Sequence, residues 1–283
     1  MPPELRDDFA AVYSFCRWSD DLGDETGSDA AARERSLALL AWWRGLLSGC
    51  FEFAKGRSDV PPNHPVFVTL AQTIRRHELI PEPFHHLIDA FEQDQRVTAY
   101  ETWDQVIDYC TRSADPVGRI VLALAGVRGS SPGSADLVRM SDATCTALQL
   151  TNFWQDVRRD LIERNRVYLP AVETGITPER LREWITRAHD PAARVPFIKA
   201  LRPLVHRTRG LFVQGRPLPA AVGGRLGRVI RLFGMGGERV LSTVERAGCA
   251  TLWARPRLGK LSKLALVAMA CIAPLRGKGR FGA

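Results

Sequence analysis

The chain has 283 residues, 45% of them apolar, which is enough for a sizeable core in one large domain or two small ones. Cys16, Cys50, Cys110, Cys145, Cys249 and Cys271 are scattered and form no Cys-x-x-Cys pair, which speaks against a zinc site or a disulfide framework and fits a reducing cytosol. The net charge of +8 is uneven: from Leu201 onward there are 16 Lys and Arg against Glu238 and Glu245, a balance of +14, while the rest of the chain stands at −6.

The pattern along the chain is helical throughout, with no run of alternating strands. Helices are expected at 6–26, 30–55, 64–78, 83–95, 102–112, 114–127, 134–164, 178–188, 195–213, 220–248 and 257–273. Proline and glycine punctuate them at Val60 to Pro62, Pro81 to Pro83, Gly129 to Gly133, Pro170 to Thr177 and Arg216 to Pro219. Thr177-Pro178-Glu179-Arg180 reads as an N-cap followed by proline at the first helical position. The polar start, Met1 to Asp8, does not read as a signal peptide. The longest apolar run, Leu264 to Pro274, falls short of the ~20 residues that span a bilayer. The acid-to-base change near residue 200 meets no linker, so a single all-α domain over residues 1–283 is expected, with a basic tail from about 257.

Two polar stripes carry the chemistry. Tyr13, Arg17, Asp20 and Asp24 fall at spacings 0, 4, 7 and 11, and Gln149, Asn152, Asp156 and Asp160 at 0, 3, 7 and 11. Each set occupies one face of a helix. Asp21 and Glu25 repeat the i, i+4 carboxylate spacing about 100° around the first helix. Like charges so placed destabilise an isolated helix by a few tenths of a kcal/mol, so two such pairs in six residues need a reason. A divalent cation supplies one, and Mg²⁺ suits hard oxygen ligands that share it with substrate phosphates. The competing reading is a solvated acidic helix end. For the second stripe, Leu150, Phe153, Trp154 and Val157 cover most of the remaining circumference, so the polar face is expected to line a cavity. Di-iron chemistry needs Glu-x-x-His pairs, which neither stripe has. Arg17, and Arg166 in Asn165-Arg166-Val167-Tyr168-Leu169-Pro170, suit diphosphate oxygens, although a surface ion pair is an equal reading for Arg166.

The segments Tyr-Ser-Phe-Cys-Arg-x-x-Asp-Asp-x-x-Asp, Gln-Leu-Thr-Asn-Phe-Trp-Gln-Asp-Val-x-x-Asp and Arg-Val-Tyr-Leu-Pro, in this order, resemble the squalene/phytoene synthases. The resemblance runs from the N-terminus to about Leu261. It implies an all-α isoprenoid-synthase bundle around a central cavity and Mg²⁺-dependent chemistry on prenyl diphosphates. By motif match it implies Asp20, Asp24, Asp156 and Asp160 as metal-site acids, with Asn152 a further ligand, and Tyr13, Arg17, Gln149 and Tyr168 lining the diphosphate site. Between the stripes, Asp108-Tyr109-Cys110-Thr111-Arg112-Ser113-Ala114-Asp115-Pro116, together with Asn-Phe-Trp-Gln-Asp in the second motif, resembles the bacterial hydroxysqualene synthases of hopanoid biosynthesis. Asp20, Asp156 and Tyr109 are the catalytic candidates. Tyr109, Phe153 and Trp154 offer ring faces to a cation, with ordinary core packing the competing role for the last two. Relatives carry a helix ahead of the first motif that is expected to be missing here, since Tyr13 already lies in the motif.

The leading expectation is conversion of presqualene diphosphate to hydroxysqualene with the two stripes as opposite walls of one site. The alternatives are head-to-head condensation of two prenyl diphosphates, giving presqualene diphosphate, dehydrosqualene or phytoene, and a non-catalytic helical partner. No dinucleotide fingerprint supports a reductive step. The basic third, with Leu264 to Ile272, suits contact with an anionic membrane surface as well as it suits a solvated face, and within it Arg255 and Arg257 suit phosphate or headgroups. A cytoplasmic enzyme, peripheral at the inner membrane, is expected, and no nucleic-acid partner.

Overall fold

The computed structural model describes residues 2–24, 27, 29–128 and 133–259. The described residues are helical: a short 3-10 turn, Pro3–Leu5, precedes twelve α-helices. Their pairing outside helices includes one isolated parallel bridge, Ala99 to Val167. The all-α expectation holds. The chain divides into two compact units, Met1–Arg96 with Arg112–Val138, and Val97–Thr111 with Arg139–Ala283.

The first unit contains α1 (Arg6–Asp24), α2 (Ala30–Ala54), α3 (Pro65–His77), α4 (Glu82–Asp94) and α6 (Asp115–Leu124). Its centre is aromatic. Phe15, Trp43, Phe67 and Phe84 are fully buried, with ring centroids 4.4 Å apart for Trp43–Phe67 and 5.3 Å for Phe15–Phe84. Leu40, Leu47, Leu70, Ile74 and Ile88 fill the remaining volume. The buried face of α1 is Asp8, Ala11, Val12, Phe15, Ser19 and Gly23. That spacing leaves Tyr13, Arg17, Asp20 and Asp24 on the other side of the same helix.

The second unit contains α5 (Trp103–Ser113, except its last two residues), α7 (Ser134–Glu163) from Arg139 on, α8 (Ala171–Thr174), α9 (Pro178–Trp184), α10 (Pro191–Gly215), α11 (Leu218–Val222) and α12 (Gly224–Arg246). Three of these helices approach closely through glycine. A Cβ on Gly215 would lie 2.0 Å from Thr144 Oγ1, and one on Gly237 would lie 2.4 Å from Leu148 and 2.7 Å from Phe212. Trp154, fully buried, donates from Nε1 to Thr208 Oγ1 at 2.8 Å, and the Arg207 guanidinium sits 3.9 Å over the Trp103 ring. Trp154 is therefore a core residue, the plainer of its two expected roles.

Besides shifted ends, such as α10 starting at Pro191 rather than 195 and α9 ending at Trp184 rather than 188, one expected helix is divided and one short helix is added. The helix expected over 220–248 is split, because Gly223 and Gly224 both take positive φ, 74° and 56°, which ends α11 and starts α12 anew. The short α8 was not anticipated, since four residues give no periodicity. The Thr177 cap is present: its side chain accepts from the Arg180 amide, with Pro178 opening α9. Glu25 and the helix expected at 257–273, apart from residues 257–259, lie outside the described residues; 257–259 are not helical. No described helix is long and apolar enough to cross a membrane.

Candidate active site

The first stripe stands on a helix held from behind. Ser19 Oγ accepts from Trp43 Nε1 at 2.9 Å and donates to the Phe15 carbonyl. The Gly23 carbonyl, at the end of α1 where few intrahelical donors remain, accepts from Gln95 Nε2 at 2.9 Å and from Ser36 Oγ at 3.3 Å. At the other end, buried Asp8 accepts from Thr73 Oγ1 at 3.0 Å, from Arg76 at 3.1 Å and from His77 at 2.9 Å. Burial alone would raise the Asp8 pKa, but the bonds from His77 and Thr73 and the neighbouring charges outweigh it and hold the carboxyl below its ordinary 3.8. On the open side, Arg17 bridges Asp20 at 2.9 Å and Asp21 at 2.5 Å, with all three side chains at least 31% exposed. Tyr13 is exposed.

The second stripe is not one continuous helix face. α7 is interrupted at Asp156, whose backbone leaves the helical region at φ −105° and ψ 15°. Asn152 is exposed and Gln149 half-buried, whereas Asp160 is buried. The expectation of a uniformly enclosed polar face thus holds at its C-terminal end and gives way at Asn152. Burial pushes the Asp160 carboxyl up to about 7; Asp156 pushes the same way, while Arg164, Arg159 and Arg166 oppose it. Asp156 is held by two arginines. Arg255 grips it with a two-pronged fork, Nε to Oδ1 and Nη2 to Oδ2, and Arg159 stands 3.8 Å away.

Residues 166–172 complete the surroundings of Asp160. The Arg166 amide donates to the Asp160 carbonyl at 2.9 Å, and Asn165 takes a left-handed φ of 53° to turn the chain. The strip then runs beside 98–101, with Val167 N bonded to Thr98 O at 2.8 Å and Ala171 N to Tyr100 O at 3.1 Å. This pairing assembles an aromatic group. Tyr168 lies flat on Phe153, centroids 3.7 Å apart and planes 5° from parallel. Tyr109 packs within 5.7 Å of Tyr168 and 6.0 Å of Phe153, and Tyr100 within 5.6 Å of both tyrosines. Phe153, Val157, Asp160, Arg166 and Tyr168 line one small pocket. The buried Arg166 belongs to this pocket, so the surface-pair reading of it fails.

Tyr109, Asp156, Asp160, Arg166 and Tyr168 are thus gathered in the second unit, and Arg17 and Asp20 are paired in the first. Tyr100, which no motif marks, was missed; Arg255 was expected to meet phosphate or headgroups, and its fork on Asp156 was not foreseen because it joins segments almost one hundred residues apart.

Among the described residues no three His, Cys, Asp or Glu side chains form a metal cage. That pattern still fits Mg²⁺, which commonly takes one or two carboxylates and completes its shell with water and substrate phosphate. A buried carboxyl as costly as Asp160 is the donor that a cation would relieve.

Helical architecture and site lead to one class of protein. The sequence profile of the squalene/phytoene synthase family matches residues 1–263, and the chain belongs to that family. It is accordingly an enzyme of the prenyl diphosphate transferase type. The hydroxysqualene synthase of Zymomonas mobilis is 34% identical over 225 residues, 78% of this chain and 67% of that protein. The presqualene diphosphate synthase of Rhodopseudomonas palustris is 30% identical over 271 residues, 94% of this chain and 88% of that one. The crystal structure of squalene synthase HpnC from Alicyclobacillus acidocaldarius matches with a TM-score of 0.72 and 37% identity, covering 88% of this chain and 86% of that chain.

Proposed function

We propose that this chain, residues 1–283 acting as one isoprenoid-synthase domain, converts presqualene diphosphate to hydroxysqualene with Mg²⁺. The observation that carries this reading is the pocket of the second unit, where buried Asp160 and Arg166 adjoin the Tyr168–Phe153 stack. A charged end that suits a leaving diphosphate then meets an aromatic wall that suits the carbocation left behind.

Asp20 and Asp24 in the first unit, and Asp156, Asp160 and Asn152 in the second, are two sets that would each offer one or two carboxylates to a divalent metal, which would supply Lewis-acid stabilisation of diphosphate oxygens. Arg166 and Arg17 donate to those oxygens, and Tyr13 and Gln149 take part in binding the group. The diphosphate leaves with the electron pair of its C–O bond. The ring faces of Tyr109, Phe153 and Tyr168 stabilise the cation and exclude bulk water. The cyclopropylcarbinyl cation then rearranges, opening its three-membered ring, and one water adds through its oxygen and loses a proton, giving hydroxysqualene. Purified protein given presqualene diphosphate and Mg²⁺ should release hydroxysqualene, identified by product mass and by chromatographic separation from its isomer presqualene alcohol. Release of dehydrosqualene, or no conversion, would contradict the assignment.

Condensation of prenyl diphosphates is the second reading. It is favoured by the long match to a presqualene diphosphate synthase, and farnesyl diphosphate as sole substrate tests it. The enzyme is further read as cytoplasmic and peripheral at an anionic membrane surface, a reading supported by exposed Arg225, Arg228, Arg239 and Arg246 on α12. Sedimentation with vesicles that does not depend on anionic lipid would contradict it.

A further inference from the structure

The Arg255 fork on Asp156 is unexplained by the reaction as written, although it engages a carboxylate assigned to the metal. The fork is built rather than incidental. The segment after α12 turns at Cys249, which takes a left-handed φ of 58°, and then buries Thr251 and Leu252. Trp253 packs edge-on against Phe197 at 5.2 Å and donates from Nε1 to the Trp184 carbonyl at 3.0 Å. On the other side of Arg255, the Pro256 carbonyl accepts from Gln155 Nε2 at 2.6 Å. Arg255 is therefore pinned by its neighbours in sequence, and Gln155 directly precedes the residue that its guanidinium grips. The fork meets both oxygens of Asp156, whose side chain is 13% exposed against 38% for Arg255.

A planar guanidinium on both oxygens and a divalent cation on the same carboxylate repel one another, and they compete for the same lone pairs. Once displaced, the guanidinium is tethered beside the place where the metal brings diphosphate, an anion it binds with the same two-pronged geometry.

We propose that Arg255 is an exchangeable counter-ion. It neutralises Asp156 while the metal is absent, yields that carboxylate to the metal, and is transferred to the diphosphate that arrives with it. This inference rests on the metal reading given above. It requires that losing Arg255 has opposite effects on two binding steps, whereas a merely structural arginine would weaken both.

Mn²⁺, followed by its paramagnetic resonance, is the probe, with inorganic diphosphate as the anion. Arg255→Gln should bind Mn²⁺ alone roughly five- to tenfold more tightly than the wild type, and should bind diphosphate in the presence of saturating Mn²⁺ more weakly by a similar factor. Arg255→Lys, which keeps the charge but not the fork, should fall between the two and guards against a folding defect in the glutamine variant. If the wild type binds Mn²⁺ and Arg255→Gln binds it no more tightly, the exchange is wrong. Unchanged diphosphate binding in that variant would overturn it as well. If wild type and both variants all fail to bind Mn²⁺, the metal reading falls and takes this inference with it.

Discussion

The two acidic stripes solve the problem of clustered carboxylates in different ways. On α1 the acids face outward, share Arg17 and stay largely solvated. The structure around them goes into the back of the helix, where Asp8, Ser19 and the Gly23 carbonyl are each hydrogen-bonded from other helices. On α7 the order is reversed. Asp160 is buried, the helix breaks at Asp156, and arginines from two parts of the chain gather on the acids. One stripe is a partly solvated set of acids on a well-braced helix. The other holds a charge against its environment, and such unfavourable burial is expected where function requires it.

The largest effect should separate activity from stability at the second stripe. Asp160→Asn should lower turnover by about 10³-fold, the loss that follows removal of a group stabilising charge in the transition state. The same change should make the metal-free protein more stable. With its folded pKa raised to about 7, Asp160 holds its proton more tightly in the native state than in the unfolded state. Its contribution is therefore fully present at acid pH and is lost as pH rises from about 4 through 7. Relief at pH 8 should reach up to about 4 kcal/mol in denaturant melts without metal. Lowered stability in that variant would erase the contrast drawn between the stripes.

Asp8→Asn tests the platform. Removing one partner of a buried hydrogen-bonded carboxylate should cost about 2 kcal/mol, because Arg76 is more than half exposed and the full price of a buried pair does not apply. Since Asp8 is held below 3.8, its contribution is present above that pH and is lost as pH falls through the lower folded value, so the mutant and wild-type melting temperatures should converge in acid. Gly237→Ala places a methyl group against Leu148 and Phe212 and should cost about 1–3 kcal/mol by overpacking, read as a shift in denaturant midpoint. The smallest effect belongs to Thr177→Ala: about 1 kcal/mol from loss of the N-cap, with turnover unchanged.

Much of this was legible in the sequence because helical period is a local signal. Ten of the expected helices correspond to described ones, and the outward face of α1 follows directly from the spacing of Tyr13, Arg17, Asp20 and Asp24. The break at Asp156 was not legible, since residues 149–160 contain no proline or glycine to mark it. Nor was the division of labour between Phe153 and Trp154. Adjacent aromatics look alike in sequence, and only their partners, Tyr168 for one and Thr208 for the other, tell them apart. Tyr100 and Arg255 depend on long-range pairing, Thr98 with Val167 in one case and Gln155 with Pro256 in the other, which periodicity cannot reveal.

The central claim is most directly tested by incubating the purified chain with presqualene diphosphate and Mg²⁺, with and without chelator, and determining the product by mass and by chromatographic separation from its isomer presqualene alcohol. The account predicts hydroxysqualene in a chelator-sensitive yield. Intact presqualene diphosphate, from a preparation that condenses farnesyl diphosphate, would contradict it.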